Sequence, residues 1–271
     1  MIGTVVIFPS ALSLWLSLHA ITRANFFSNP PFVGLDNYIK VLTDQFFIDS
    51  LRISMYWVAL TTMLELSFGL MLALLMNQNV PWKGAFTVLL LTPMVISPVA
   101  TSYMFSMLFN NLFGPLPILL KNIFGVEVSF IGDPSLAFYT LVLLDVWQWT
   151  PFMFLLIYTG IRSLPNEPLE AAMVDGASSW QILSKIKLPL LKPIIAVALI
   201  FRMMDSFKTF DIIYVLTGGG PGRVTETVSV YIYRTFSRGD VGLMLALSTI
   251  LLMVIPLLSR FYMKYLYGVK R

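Results

Sequence analysis

Glu170-Ala-Ala-Met-Val-Asp-Gly-Ala-Ser-Ser-Trp-Gln-Ile-Leu-Ser-Lys-Ile-Lys-Leu-Pro189 is a polar island between two long apolar runs. A few residues suffice to join adjacent helices, so a segment with its own helix signals points to a surface built for something in the aqueous phase. Pro165 and Pro168 precede it, where proline suits a first helical turn, and Glu170 near that start is favoured by the helix dipole. Asp175-Gly176-Ala177 is expected to break the helix, because glycine reaches positive φ at no steric cost. Ser178 or Ser179 then caps a second helix carrying Trp180, Leu183 and Ile186 at helical spacing. Leu188-Pro189 is expected to end that helix. A plainer alternative is an amphipathic helix lying on the bilayer.

The rest of the chain explains why the island stands out. Of 271 residues, 57% are hydrophobic and 12% charged, against about 25% charged in a soluble protein. The class is therefore a membrane protein. Cysteine is absent, which excludes disulfides and thiolate metal sites. The single histidine, His19, cannot build a histidine metal site and reads as an interfacial polar residue. The basic residues are dispersed between apolar runs, so the net charge of +4 does not mark a nucleic-acid partner.

Apolar runs of spanning length lie at Ile53–Met76, Ala85–Phe109, Ala137–Tyr158, Pro193–Leu216 and Val241–Tyr262, with a shorter one at Gly3–Leu18. Pro9, Pro93, Pro98, Pro151 and Pro256 fall inside these runs, which membrane helices tolerate when neighbours satisfy the freed carbonyls. The distribution of Lys and Arg sets the orientation. Lys83, Arg162, Lys185, Lys187, Lys192, Arg260, Lys264, Lys270 and Arg271 share the island's side. Arg23, Lys40, Arg52, Lys121, Arg223, Arg234 and Arg238 are spread over longer loops on the other. The island and the C-terminus are thus expected in the cytoplasm, with six spans and a single domain over residues 1–271. On the outside, Val33 to Tyr38 reads as a turn into a short interfacial helix, and Asn111–Gly125 holds a second short apolar helix. Thr217-Gly218-Gly219-Gly220-Pro221-Gly222 lacks the Lys-Ser/Thr ending of a phosphate loop and reads as a turn closing a span.

Ionisable residues inside spans are functional hypotheses by default. Glu65, Asp145, Arg202, Asp205, Lys208 and Asp211 are the cases here. Arg202, Asp205, Ser206 and Thr209 fall at i, i+3, i+4 and i+7, one face of a helix. Either that face meets water or a ligand, or Arg202 balances Asp205 in an internal pair. Trp147-Gln148-Trp149-Thr150-Pro151-Phe152 supplies the chemistry a sugar needs: an apolar face for stacking and an amide for hydroxyls. An interfacial aromatic belt is the alternative.

The acid-Ala-Ala of 170–172, the Asp-Gly-Ala of 175–177 and the Ile-x-Leu-Pro of 186–189 resemble the signature of ABC importer permeases of the binding-protein-dependent carbohydrate type. The resemblance extends over nearly the whole chain, including Thr-x-Gly-Gly-Pro at 217–221. One departure is Leu183, where the family often has an aromatic residue. The resemblance implies an all-α integral membrane fold, a six-transmembrane-helix type I importer permease with cytoplasmic coupling helices within about residues 162–190. It implies that Glu170, Ala171, Ala172, Asp175, Gly176, Ala177, Ile186, Leu188 and Pro189 grip a separate ATPase, and that ATP and Mg²⁺ belong to that partner. This chain would then be a non-catalytic subunit. The further partners implied are a second homologous permease, a dimer of ATP-binding subunits and an extracytoplasmic solute-binding protein, in a bacterial or archaeal cytoplasmic membrane. Through Trp-x-x-x-Pro and Phe-x-x-Phe-x-x-Ile, the family's sugar pocket maps onto Gln148, Trp149, Phe152, Arg202, Ser206 and Thr209, with Asp205 and Lys208 beside them. The charges suit a polyol or an anionic sugar at least as well as a plain maltodextrin.

Two rivals remain. A secondary transporter would use Glu65, Asp145 or Asp205 for a coupling proton, but the inverted repeat expected of it is not visible. A membrane enzyme would need a nucleophile–base or metal constellation that one histidine and no cysteine do not supply. The orientation is directly testable: in this cysteine-free chain, a thiol introduced at Ser179 should react with an impermeant reagent only from the cytoplasmic side, and one at Thr225 only from outside. Reversed labelling overturns the topology.

Overall fold

The computed structural model of this chain describes residues 6–78 and 80–267. They form helices α1 (Phe8–Ser17), α2 (Asp36–Thr43), α3 (Gln45–Met76), α4 (Lys83–Val95), α5 (Pro98–Leu108), α6 (Pro115–Phe124), α7 (Pro134–Arg162), α8 (Glu167–Val174), α9 (Ser179–Ile182), α10 (Leu188–Phe207), α11 (Asp211–Thr217), α12 (Val228–Ser237) and α13 (Val241–Tyr267), with no strand among the described residues. The all-α expectation holds. The 32 residues of α3 extend for about 48 Å at 1.5 Å per residue, well beyond a hydrocarbon core of about 30 Å. Among the described residues, α3 and α7 are each long and apolar enough to cross a membrane alone.

The other expected spans are broken or differently bounded. Ala85–Phe109 divides into α4 and α5, which meet at 92°. Pro93 lies inside α4 and Pro98 opens α5. Each ring removes an N–H, and Ser97 before Pro98 is pushed away from helical geometry. Pro193–Leu216 is likewise two helices, because α10 ends at Phe207 and α11 starts at Asp211. Asp211 favours that start by placing a negative charge at a helix N-terminus. The short first run becomes the ten-residue α1, and the beginning of Gly3–Leu18 lies outside the described residues. The short outside helices expected near Asp36 and within 111–125 are present as α2 and α6.

The chain divides into two compact units. One comprises the described residues up to Trp57, Ser102–Thr140 and Phe207–Leu258. Its core joins Val41, Phe47, Val228, Tyr231, Ala246 and Leu247. The Val228 N–H donates to Ser54 Oγ at 2.8 Å, and Asn37 Nδ2 donates to the Ser17 and His19 carbonyls. His19 is buried here, its Nδ1 2.9 Å from the Trp15 carbonyl, and is not a surface residue. The glycine run is a turn, as expected: Gly218 and Gly219 take positive φ, and Arg234 donates to the Gly218 carbonyl at 2.9 Å. Glu226, fully buried, joins Arg223 and Arg234 beneath this turn. Burial pushes the Glu226 carboxyl above its usual range, against the pull of both guanidiniums. Thr225, the outside position for the labelling test, is buried, so exposed Arg238 is the better site for that thiol.

The second unit comprises Val58–Thr101, Leu141–Ser206 and the described residues from Ser259. Ala73, Met76, Phe154, Ile157, Ile161 and Leu191 form its core, drawing α3, α7 and α10 together. Gly69 sets how closely α3 and α7 approach: a Cβ there would lie 2.6 Å from Met153 Cβ and 2.9 Å from the Phe154 nitrogen. Small residues at such crossings let helix backbones approach in lipid. Gly69→Ala is therefore expected to lower stability by about 1–3 kcal/mol, the usual penalty of overpacking. Thermal unfolding of the detergent-solubilised protein measures it, and an unchanged melting temperature would refute the close contact.

Candidate functional site

The island folds into the two helices its residues specify. Gly176 at φ +79° ends α8: its N–H donates to the Met173 carbonyl, and the Ala177 N–H donates to the Ala172 carbonyl at 2.9 Å, the paired bonds of a Schellman ending. Ser178 is the residue that caps α9. Its Oγ accepts from the Gln181 N–H, and its own N–H donates to Gln181 Oε1 at 2.8 Å, a reciprocal capping box. Met173, Val174 and Trp180 are exposed, and Glu170, Ala171, Asp175 and Gly176 are exposed with them. Ala172, Ala177 and Ile186 are partly buried.

The expected stop at Leu188-Pro189 is not there. A π-helical turn at Leu183–Lys187 connects α9 to α10, in which Leu188 is the first residue and Pro189 the second. The Leu188 N–H reaches back to the Leu183 carbonyl. Pro189 has no N–H for the ordinary bond and its ring crowds the carbonyl four residues back. Widening the preceding turn accommodates that ring without ending the helix.

Further along α10 lies a buried charge cluster. Arg202 grips Glu65 of α3 with two parallel bonds, Nε to Oε2 at 2.6 Å and Nη2 to Oε1 at 2.7 Å. Nη2 also donates to Asp145 of α7, and Nη1 lies 3.5 Å from Asp205, one turn away. Glu65, Asp145 and Arg202 are at most 1% exposed, whereas the Asp205 side chain is half exposed. The guanidinium sits 5.2 Å from the Trp149 ring centroid, within cation–π reach. Beside it, Thr61 and Ser206 share a hydroxyl bond of 3.0 Å. Gln148 is also buried, and its Nε2 donates at 3.0 Å to the Ile96 carbonyl at the α4–α5 bend.

These contacts correct several expectations. Arg202 does not offer its guanidinium to a ligand, since carboxylates surround it. Its principal partners are Glu65 and Asp145, with Asp205 the most distant of the three. Gln148 and Ser206 are likewise engaged inside the protein. Trp149 and Phe152 are half-buried. Thr209 lies past the end of α10, so it does not continue the Arg202 face, and Lys208 is exposed at that end. The pairing of Glu65 and Asp145 with Arg202 was not foreseen, although a signal existed. Carboxylates in low dielectric need a cation, and Arg202 and Lys208 are the cations the sequence puts inside spans away from their ends.

Comparison with known proteins decides the family. The sequence pattern of the family described as "Binding-protein-dependent transport system inner membrane component" matches residues 65–267. The chain belongs to that family. It is the non-catalytic membrane permease of an ABC importer; ATP hydrolysis falls to a separate subunit, and a solute-binding protein delivers the cargo. The secondary-transporter alternative is thereby replaced. The trehalose/maltose transport system permease protein MalF of Thermococcus litoralis is 36% identical over 260 residues, covering 96% of this chain and 87% of that one. The trehalose transport system permease protein SugA of Mycobacterium tuberculosis is 36% identical over 261 residues, covering 96% and 83%. A chain in the crystal structure of a bacterial ABC transporter involved in the import of the acidic polysaccharide alginate shares the fold, with a TM-score of 0.84 at 21% identity over 100% of this permease and 92% of that chain.

The ion cluster predicts a stability effect separable from recognition. Arg202→Gln strands two buried carboxylates and should destabilise the permease by about 3–5 kcal/mol. Adding Glu65→Gln and Asp145→Asn removes the stranded charges and should recover most of that loss. Unfolding midpoints in detergent measure both, and a triple variant no more stable than Arg202→Gln alone would refute the pairing as the source of stability.

Proposed function

We propose that this permease imports a neutral sugar or polyol across the cytoplasmic membrane of a bacterium or archaeon. It works with a second homologous permease, a dimer of ATP-binding subunits that holds ATP and Mg²⁺, and an extracytoplasmic solute-binding protein. The two relatives named for trehalose/maltose and trehalose transport support a neutral disaccharide. So does the engagement of Arg202 by Glu65 and Asp145, which leaves an anionic sugar without its expected guanidinium. Trp149 and Phe152 on α7 offer ring faces to the sugar, and half-exposed Asp205 on α10 offers an acceptor for hydroxyls. Gln148, Arg202 and Ser206 hold those groups in position.

The observation that carries the coupling reading is the shape of the island. The Schellman ending and the capping box fix both sides of Gly176, so α8 and α9 form a stiff bent element with exposed apolar residues at Met173, Val174 and Trp180. Exposed apolar groups on a polar loop mark a docking surface. Glu170 engages a basic residue of the ATPase, and Ala171 with Ala172 allows close approach. Because α9 runs through the π turn into α10, displacement of the docked island on ATP binding reaches Arg202 along a continuous helical path. Ile186, Leu188 and Pro189 lie on that path.

Gly176→Pro removes a bond that ends α8 and forces a φ proline cannot adopt, with a penalty of about 3 kcal/mol in a helical segment. Glu170→Lys reverses the charge. Each should reduce uptake in proteoliposomes at least about tenfold, while the subunits still insert in the membrane and the solute-binding protein retains its affinity. Normal uptake by both variants would end this assignment of the island.

A further inference from the structure

A cavity of about 550 Å³ lies within the first unit, lined by none of the charge-cluster residues. Arg52, Ile53 and Tyr56 near the N-terminal end of α3 line it, with Pro134, Ser135, Phe138 and Tyr139 at the N-terminal end of α7. Val224, from the turn pinned by Glu226, completes the wall. Its volume falls in the range of small-molecule sites, about 300–1,000 Å³. By the Lys and Arg distribution, these helix ends face the outside.

The lining is organised around Phe138. That ring is buried, stacks on Tyr56 at 5.2 Å between centroids and meets Tyr139 edge-on at 5.7 Å. Trp57 packs edge-on against the same ring at 6.0 Å. Both tyrosines remain about half exposed, held by these ring contacts with Phe138. Their faces are therefore presented in fixed orientation, and little conformational freedom is lost when something stacks on them. Arg52 supplies a planar fork of donors; its ion pair with Asp49 is long, at 3.4 Å, and exposed. The Ser135 hydroxyl stands beside them. Rigid aromatic faces next to fork donors and hydroxyls match a pyranose ring, which has apolar C–H faces and a rim of hydroxyls. Aromatics of an interfacial belt sit at headgroup level; these wall one cavity together.

We propose that this cavity is a saccharide subsite on the outer side of the permease, where sugar released by the solute-binding protein first meets the chain. The ring stacks on Tyr56 and Tyr139, and Arg52 bridges neighbouring hydroxyls. The inference rests on the import reading above, and on the outside placement of these helix ends.

The full-length permease, assembled with its partners in proteoliposomes, provides the test. Ser135→Cys puts a thiol on the cavity wall while leaving the aromatic cluster intact. Its labelling by an impermeant maleimide is timed with and without saturating trehalose or maltose. We expect either sugar to slow labelling about tenfold, as bound ligand shields the site. Tyr56→Ala with Tyr139→Ala should abolish the protection, and Tyr56→Phe with Tyr139→Phe should keep part of it, because the stacking faces remain. Should the alanine pair fail to assemble, the Ser135→Cys measurement alone still decides. Uptake by the unaltered transporter is measured separately. Uptake without protection overturns the subsite and leaves the import reading standing. Absence of uptake counts against import of these disaccharides, while labelling, which needs no transport, still decides the cavity. A thiol already blocked in the assembled complex without sugar would put the partner permease over the cavity. Protection that follows the anionic lipid content instead of the sugar would make it a headgroup site. Either result overturns the proposal.

Discussion

The second unit depends on the grip of Arg202 on Glu65 and Asp145. Transferring an unpaired charge to the interior of a membrane protein costs several kcal/mol even after relaxation. None of these three residues is tolerable in its helix without the others. The bidentate fork also dictates direction, since a guanidinium meets a carboxylate edge-on in one plane. The cluster therefore sets the rotation of α3, α7 and α10 about their axes as well as their proximity. Gly69 sets how closely α3 and α7 approach, and the apolar core around Phe154 and Leu191 fills the remaining space. Charge and close packing thus specify one arrangement where apolar faces in lipid would permit several.

Around that fixed centre, prolines supply the places where helices bend. Each proline frees a carbonyl that lipid cannot satisfy. At the α4–α5 break the Ile96 carbonyl is taken by Gln148, so a residue that reads as a sugar ligand in the sequence spends its amide on the backbone. Before Pro189 the solution is different, with the helix widening by one π turn and running on. The two devices have opposite mechanical consequences. The first creates a sharp corner held by a side chain, whereas the second preserves a continuous helical path from α9 to the charge cluster.

Much of this was legible in the residues because the relevant chemistry is local. The break at Gly176, the cap at Ser178, the turn at 217–222 and the apolar length of α3 and α7 follow from neighbours within a few positions. Composition alone excluded thiolate and histidine metal chemistry. The three short motifs of the island identified the family, and their spacing reflects a helix pair whose form its own backbone bonds determine. Even the inner and outer sides were argued from the placement of Lys and Arg.

Tertiary structure decided what the charges do. Periodicity put Arg202 and Asp205 on one helical face, but it carries no information about residues 137 and 57 positions away in the chain, where Glu65 and Asp145 stand. A local i,i+3 pair was the natural reading; the fold instead gave the guanidinium two buried partners and left Asp205 at the margin. The same limit applies to Gln148, whose acceptor lies 52 residues away, and to the cavity around Tyr56, built from three separate segments. Helix signals reside in neighbouring residues, so a sequence displays them. The pairing of one helix face with another depends on which contacts survive once all the helices are packed together, and that is a property of the folded chain.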